Sequence, residues 1–209
     1  SAEALIDGAE RRIMQIAESG PKSGGPQTVN PLLQGALARI EELFQSGGDI
    51  TGLSTGYLDL DRYTSGLQRS DLIVVAGRPS MGKTSFAMNL VEHAVLNHDK
   101  PALVFSMEMP AEQLIMRMLS SLGRIDQSKV RNGRLDQEDW PKLSTAVGKL
   151  KGVPLHIDDT PALTPTELRS RARRVAREHG ELAMIMVDYL QLMQVAGSSE
   201  GRTAEITEI

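Results

Sequence analysis

The spacing of hydrophobic positions changes several times along the chain, and each change marks an element. In Ala2–Glu18, Ile6, Ala9, Ile13, Ile16 and Ala17 fall on one helical stripe, with Glu10, Arg11, Arg12 and Gln15 away from it. The run Ser19–Gln27 then holds two prolines and three glycines, which makes a flexible linker. The predicted organisation is a helix over 1–18, a linker over 19–29 and one larger domain over 30–209. Asn30-Pro31 is a helix start, with Asn as cap and Pro at the first helical position. Leu33, Leu37, Ile40, Leu43 and Phe44 are expected to face inward, and Gly47-Gly48 ends the helix. Thr51–Gln68 is rich in Gly, Thr, Ser and Asp, so turns and short elements are expected there.

From Asp71 the rhythm alternates between short apolar runs and helical periods. Strands are predicted at Leu72–Ala76, Ala102–Ser106, Leu155–Ile157 and Ala183–Val187. Helices are predicted at Lys83–Asn97, Ala111–Leu122 and Pro165–Glu178, with a further one between Gln137 and Lys151 that Pro141 delays to about Asp139. Thr164, Pro165 and Glu167 form a capping box at the start of the third. All-apolar strands alternating with helices predict an α/β fold around a buried, mostly parallel sheet. No internal repeat is visible.

Composition narrows this little. The chain has 209 residues, 24% charged and 40% hydrophobic, a balance ordinary for a globular domain. Cysteine is absent, which excludes disulfides and thiolate metal sites. No apolar run approaches the ~20 residues of a membrane span, and no signal-peptide pattern opens the chain. The expectation is a cytoplasmic protein with no membrane partner. A net charge of −4 argues against a globally basic nucleic-acid surface, and three Phe, three Tyr and one Trp against a stacking platform for bases.

Chemistry enters at Gly77-Arg78-Pro79-Ser80-Met81-Gly82-Lys83-Thr84, which reads G-x-x-x-x-G-K-T, the phosphate-binding P-loop, between an apolar run and a helix. Glycine at 77 and 82 is expected to permit positive φ and close approach to a phosphate. The loop amides and the positive end of the helix, through Ser85, then face the anion. Lys83 is expected on the β- and γ-phosphates, and Thr84 at Mg²⁺.

Two acids follow apolar strands. Asp188 closes Ala183–Asp188 and is expected to hold Mg²⁺ at the ligand edge of the sheet. The alternative is an acid capping a nearby helix. Glu108 closes Leu103–Glu108, either as the carboxylate that polarises the attacking water or as a surface acid in a first helical turn. Arg169, Arg173 and Arg177 share a helical face, either solvated and salt-bridged or a partner surface. The four histidines lack metal-ligand spacing, and the ten methionines read as core.

Taken together, Thr51–Asp61, Thr64–Gln68, Gly77–Thr84, Phe105–Met109 and Asp188–Leu192 resemble the bacterial replicative DNA helicases of the DnaB family. That resemblance spans nearly the whole chain. It implies a RecA-like P-loop NTPase that binds ATP and Mg²⁺, assembles as a hexameric ring and moves along single-stranded DNA. It also implies Glu108 and Lys83 as catalytic residues and Thr84 and Asp188 as metal residues. The helix over 2–18 becomes an arm exchanged with the next subunit, and a helicase loader and primase become partners of the full-length protein.

In the family a helical domain precedes this segment. A polar sensor, DNA-contacting loops and an arginine finger, the last worth roughly 10³–10⁵ in rate in related systems, come after it. The expectation is that these 209 residues bind nucleotide, hydrolyse it slowly and do not unwind DNA alone, with one sheet edge left open. Two rivals remain: a filament-forming RecA-like recombinase, which shares the P-loop, and a non-motor docking module for a loader with the Arg169–Arg177 helix as contact. A small-molecule kinase also uses a P-loop, but nothing suggests a second substrate pocket.

Overall fold

The computed structural model describes Arg12 and residues 28–46, 50–98 and 100–194. The chain divides into two compact units, Ser1–Thr51 and Gly52–Ile209. Of the helix expected at Ala2–Glu18, Arg12 alone is described, and Ser19–Gln27 lies outside the described residues.

In the first unit, α1 spans Val29–Ser46. It begins ahead of Asn30, so that residue sits inside the helix instead of capping it. The expected inward stripe is also corrected. Leu33, Leu37, Ile40 and Phe44 are all more than half exposed. Their spacing satisfies the period of an amphipathic helix, but periodicity reports only that a face is apolar, not what covers it.

The second unit is built on three parallel strands, β1 (Ala102–Ser106), β2 (Leu155–Asp158) and β3 (Met184–Asp188), in the order β2-β1-β3. Its helices are α2 (Leu58–Thr64), α3 (Lys83–Asn97), α4 (Ala111–Gly123), α5 (Gln127–Asn132), α6 (Asp139–Leu150) and α7 (Pro165–His179), and a 3₁₀ turn follows at Leu190–Leu192.

Every residue of β1 is buried, as a central parallel strand with both faces covered requires. Alternation along it divides the core. Ala102 and Val104 join Met88, Val91 and Val95 of α3, Leu114 and Met118 of α4, and Met186. Leu103 and Phe105 join Met107, Leu163, Ala172 of α7 and Met193. Helices therefore cover both faces, as in the RecA-like α/β architecture.

Local chemistry sets the helix ends. At α7 the Thr164 hydroxyl accepts from the Glu167 N–H at 3.2 Å, and Glu167 accepts from the Thr164 N–H at 2.8 Å. At α5, Asp126 accepts from the Ser128 N–H at 2.7 Å, and Gly133 ends the helix at φ 66°. Leu53 and Leu67 close residues 52–68 with two backbone hydrogen bonds of 2.8 Å. A Cβ on Gly52 would collide with the Leu67 carbonyl, so this closure requires glycine.

One expected strand is absent. Leu72–Ala76 has no ladder partner among the described residues and is exposed, Leu72 to 87%. The apolar run is local, whereas a parallel strand exists only if a distant segment lies beside it. In this fold β3 pairs with β1 and not with residues 72–76.

Candidate nucleotide site

The register of the sheet puts two chain ends level. Ser106 pairs with Asp188, so the residues after β1 and the last residue of β3 emerge at one edge. The start of α3 faces the same place. Gly82 is its N-terminal cap at φ 86°, a conformation that costs glycine little and other residues more. No side chain caps this terminus, and its first turn holds no acid. The first-turn N–H groups and the positive helix end are thus left for an external anion.

Within the loop Gly77–Ser85, Ser80 also turns with positive φ, at 63°. Gly77 does not, which corrects the expectation for that residue. A Cβ there would make an ordinary 3.5 Å contact with Lys83. Residues 77–82 are exposed. The Lys83 Nζ lies across the loop and donates to the carbonyl oxygens of Gly77 at 3.1 Å and Arg78 at 3.3 Å. The ammonium is therefore held above the loop.

Thr84 and Asp188 come together as expected. The Thr84 hydroxyl donates to Asp188 Oδ2 at 2.9 Å across 104 residues of sequence. Asp188 is buried at the end of β3. Among the described residues no group of three or more His, Cys, Asp or Glu could hold a metal. Mg²⁺ usually binds through one or two protein oxygens, completed by water and phosphate. A hydroxyl and a carboxylate side by side at a helix start fit that ion.

Glu108 lies two residues beyond β1, exposed, with no hydrogen bond or ion pair to its carboxylate among the described residues. Its loop is anchored on both sides. Ser106 binds both backbone groups of Met109, and the Met107 N–H donates to the Asp188 carbonyl at 2.9 Å. Asp159, just after β2, accepts from the Ala111 N–H at 2.9 Å at the start of α4.

Sequence reasoning missed Ser106 and Asp159. It also missed Asp158, which binds Arg171 Nη1 through both oxygens at 2.9 and 2.7 Å. Burial pushes the Asp158 carboxyl up, but hydrogen bonds from Arg171 and Thr160 outweigh it and hold the group below its ordinary value. The Asp158-Asp159-Thr160 run after a short strand was the available signal. Polar residues with caps and turns to make cluster at such places.

Residues 52–209 match the family model described as DnaB-like helicase C terminal domain. The chain belongs to this family. Its relatives include the replicative DNA helicase DnaB of Buchnera aphidicola subsp. Acyrthosiphon pisum (strain APS), 54% identical over 100% of this chain and 46% of that protein. The protein of the same name from Pasteurella multocida (strain Pm70) is 56% identical over 98% of this chain and 45% of its own length. The chain thus spans about half the length of these curated relatives.

Among solved structures, a DnaB-like replicative helicase, described with its interactions with primase, superposes with a TM-score of 0.75 at 29% identity, covering 99% of this chain and 51% of that one. A second solved structure, described as an ATPase domain, superposes with a TM-score of 0.79 at 30% identity, covering 88% and 64%. The membership makes this a DnaB-like helicase C-terminal domain of RecA-like α/β fold. No described helix is long and apolar enough to cross a membrane.

Proposed function

We propose that this chain is the motor part of a replicative DNA helicase, which binds ATP with Mg²⁺ at residues 77–85 and couples hydrolysis to movement along single-stranded DNA. The observation that carries the proposal is the Thr84–Asp188 hydrogen bond at the uncapped start of α3, within a DnaB-like domain. Lys83 binds the β- and γ-phosphates, and the loop amides and helix end bind their oxygens. Thr84 and Asp188 hold Mg²⁺, which neutralises charge on the transferring phosphate when bound. Glu108 accepts a proton from the attacking water, and its exposed, unengaged carboxylate suits that role.

The proposal extends to organisation and partners. Residues 1–18 form a linker helix, 19–29 a flexible linker and 30–209 the ATPase domain. The helix over 2–18 joins subunits into a homo-hexamer. Single-stranded DNA is the track, and a helicase loader and primase are partners of the full-length protein.

The test is steady-state ATP hydrolysis by the native protein, with and without single-stranded DNA, together with nucleotide binding. Lys83→Ala abolishes nucleotide binding. Glu108→Gln keeps binding and loses kcat by about 10²–10⁴, the usual worth of a positioned base. Turnover that ignores single-stranded DNA in the native protein rejects the motor. Full kcat in Glu108→Gln rejects the base.

A further inference from the structure

We infer that Ser106 is the positioning residue that sets the place of the Glu108 carboxylate, an inference that rests on the reading of Glu108 as the hydrolytic base. Ser106 is the last residue of β1 and is 1% exposed. Its hydroxyl donates to the Met109 carbonyl at 2.7 Å and accepts from the Met109 N–H at 3.3 Å. One side chain thereby closes a loop of four residues, with Glu108 inside it. A serine hydroxyl is suited to this because it donates and accepts at once.

The neighbours of Glu108 are fixed independently. Met107 donates its N–H to the Asp188 carbonyl at 2.9 Å, which links the loop to the residue proposed for Mg²⁺. Past Met109, the Pro110 carbonyl accepts from the Gln113 N–H at 3.0 Å, and Asp159 caps Ala111. The Glu108 side chain itself has no polar contact among the described residues to hold it. Its position is therefore inherited from the backbone, and at Met109 that backbone is held by Ser106. Removing the hydroxyl leaves two backbone groups of Met109 without this partner and frees the loop on the side away from β3. Ser106 neighbours Asp188 through the backbone ladder, but its hydroxyl bonds Met109 and neither the phosphate loop nor the Thr84 and Asp188 side chains, so nucleotide affinity is set elsewhere.

The experiment measures kcat, KM for ATP and nucleotide Kd for Ser106→Ala and Ser106→Cys in the native protein, and for Ser106→Ala added to Glu108→Gln. Cysteine keeps a weaker donor and acceptor. The expected result is that kcat falls roughly ten- to hundredfold in Ser106→Ala, the scale of displacing a catalytic group by about 1 Å. Kd and KM stay close to wild type, and Ser106→Cys falls between. In the Glu108→Gln background the alanine change costs nothing further. An equal loss in both backgrounds overturns the inference, as does a loss of nucleotide binding in step with kcat. Full kcat in Ser106→Ala while Glu108→Gln is inactive overturns it alone. Full kcat in Glu108→Gln overturns it together with the base.

Discussion

Asp61 carries a structural duty that its place in the sequence does not announce. It is 3% exposed, yet charged. Its two oxygens accept from the Thr55 N–H and the Ser54 hydroxyl, each at 2.8 Å. The Ser54 hydroxyl in turn lies 3.2 Å from His93 Nε2, which ties this loop to α3 behind the phosphate loop. Burial pushes the Asp61 carboxyl up, but the hydrogen bonds from Thr55, Ser54 and Gly56 outweigh it and hold the group below the ordinary 3.8. A carboxyl depressed in the folded state contributes stability above its unfolded value and loses it as pH falls through the folded value. Asp61→Ala therefore lowers the unfolding free energy by about 1–3 kcal/mol at pH 6, through unpaired donors. The deficit shrinks below pH 3.8. Denaturant titrations at pH 6 and pH 3 check this, and an equal deficit at both would show that the charge is irrelevant. At this scale legibility followed locality. Gly82, Lys83 and Thr84 were readable because a P-loop is eight contiguous residues. Asp61 stands out in the sequence merely as the end of Thr51–Asp61, since its partners depend on how the turn folds.

Elements were legible where their own residues decide them. The α7 start was readable because the capping box is complete within four residues, and α3 matches its expected span because Gly82 and the apolar period both lie inside it. Thr164→Ala is expected to cost about 1 kcal/mol in denaturant unfolding, within the usual 0.5–2 for a cap. ATP turnover should be unchanged, because the Thr164 side chain hydrogen-bonds Glu167 and none of residues 77–85, Glu108 or Asp188 among the described residues. A drop in kcat larger than the stability loss would mean that α7 is coupled to the site, through Arg171 and the Asp158–Thr160 loop that caps α4. A strand that needs a distant partner was not legible from its own residues: Leu72–Ala76 has strand composition and no ladder among the described residues. The Thr84–Asp188 contact closes over 104 residues, and it was legible because the P-loop and an acid ending an apolar strand each point to the same Mg²⁺.

At the scale of the whole molecule, the feature that composition hides is how much apolar surface α1 leaves open. Val29, Leu32, Leu33, Leu37, Ile40 and Phe44 are all exposed, Phe44 to 85%. They recur at helical spacing, and a contiguous exposed apolar face of this kind marks a contact surface. Burial of each Leu, Ile or Phe stabilises by about 1.5–3 kcal/mol, so the stripe is large enough to hold two chains together. If a ring forms, two segments compete for the role of joining subunits, the helix over 2–18 and α1. Sedimentation velocity of the native protein separates them. Phe44→Glu puts a charge in the stripe, and desolvating that charge opposes burial, so it should shift the distribution toward smaller species if α1 is a contact. Deleting residues 1–18 should do the same if the exchanged arm is a contact. Sensitivity to Phe44→Glu with indifference to the deletion would move the joining role onto α1. The reverse pattern would leave the α1 stripe to some other partner and keep the arm over 2–18 as the link between subunits.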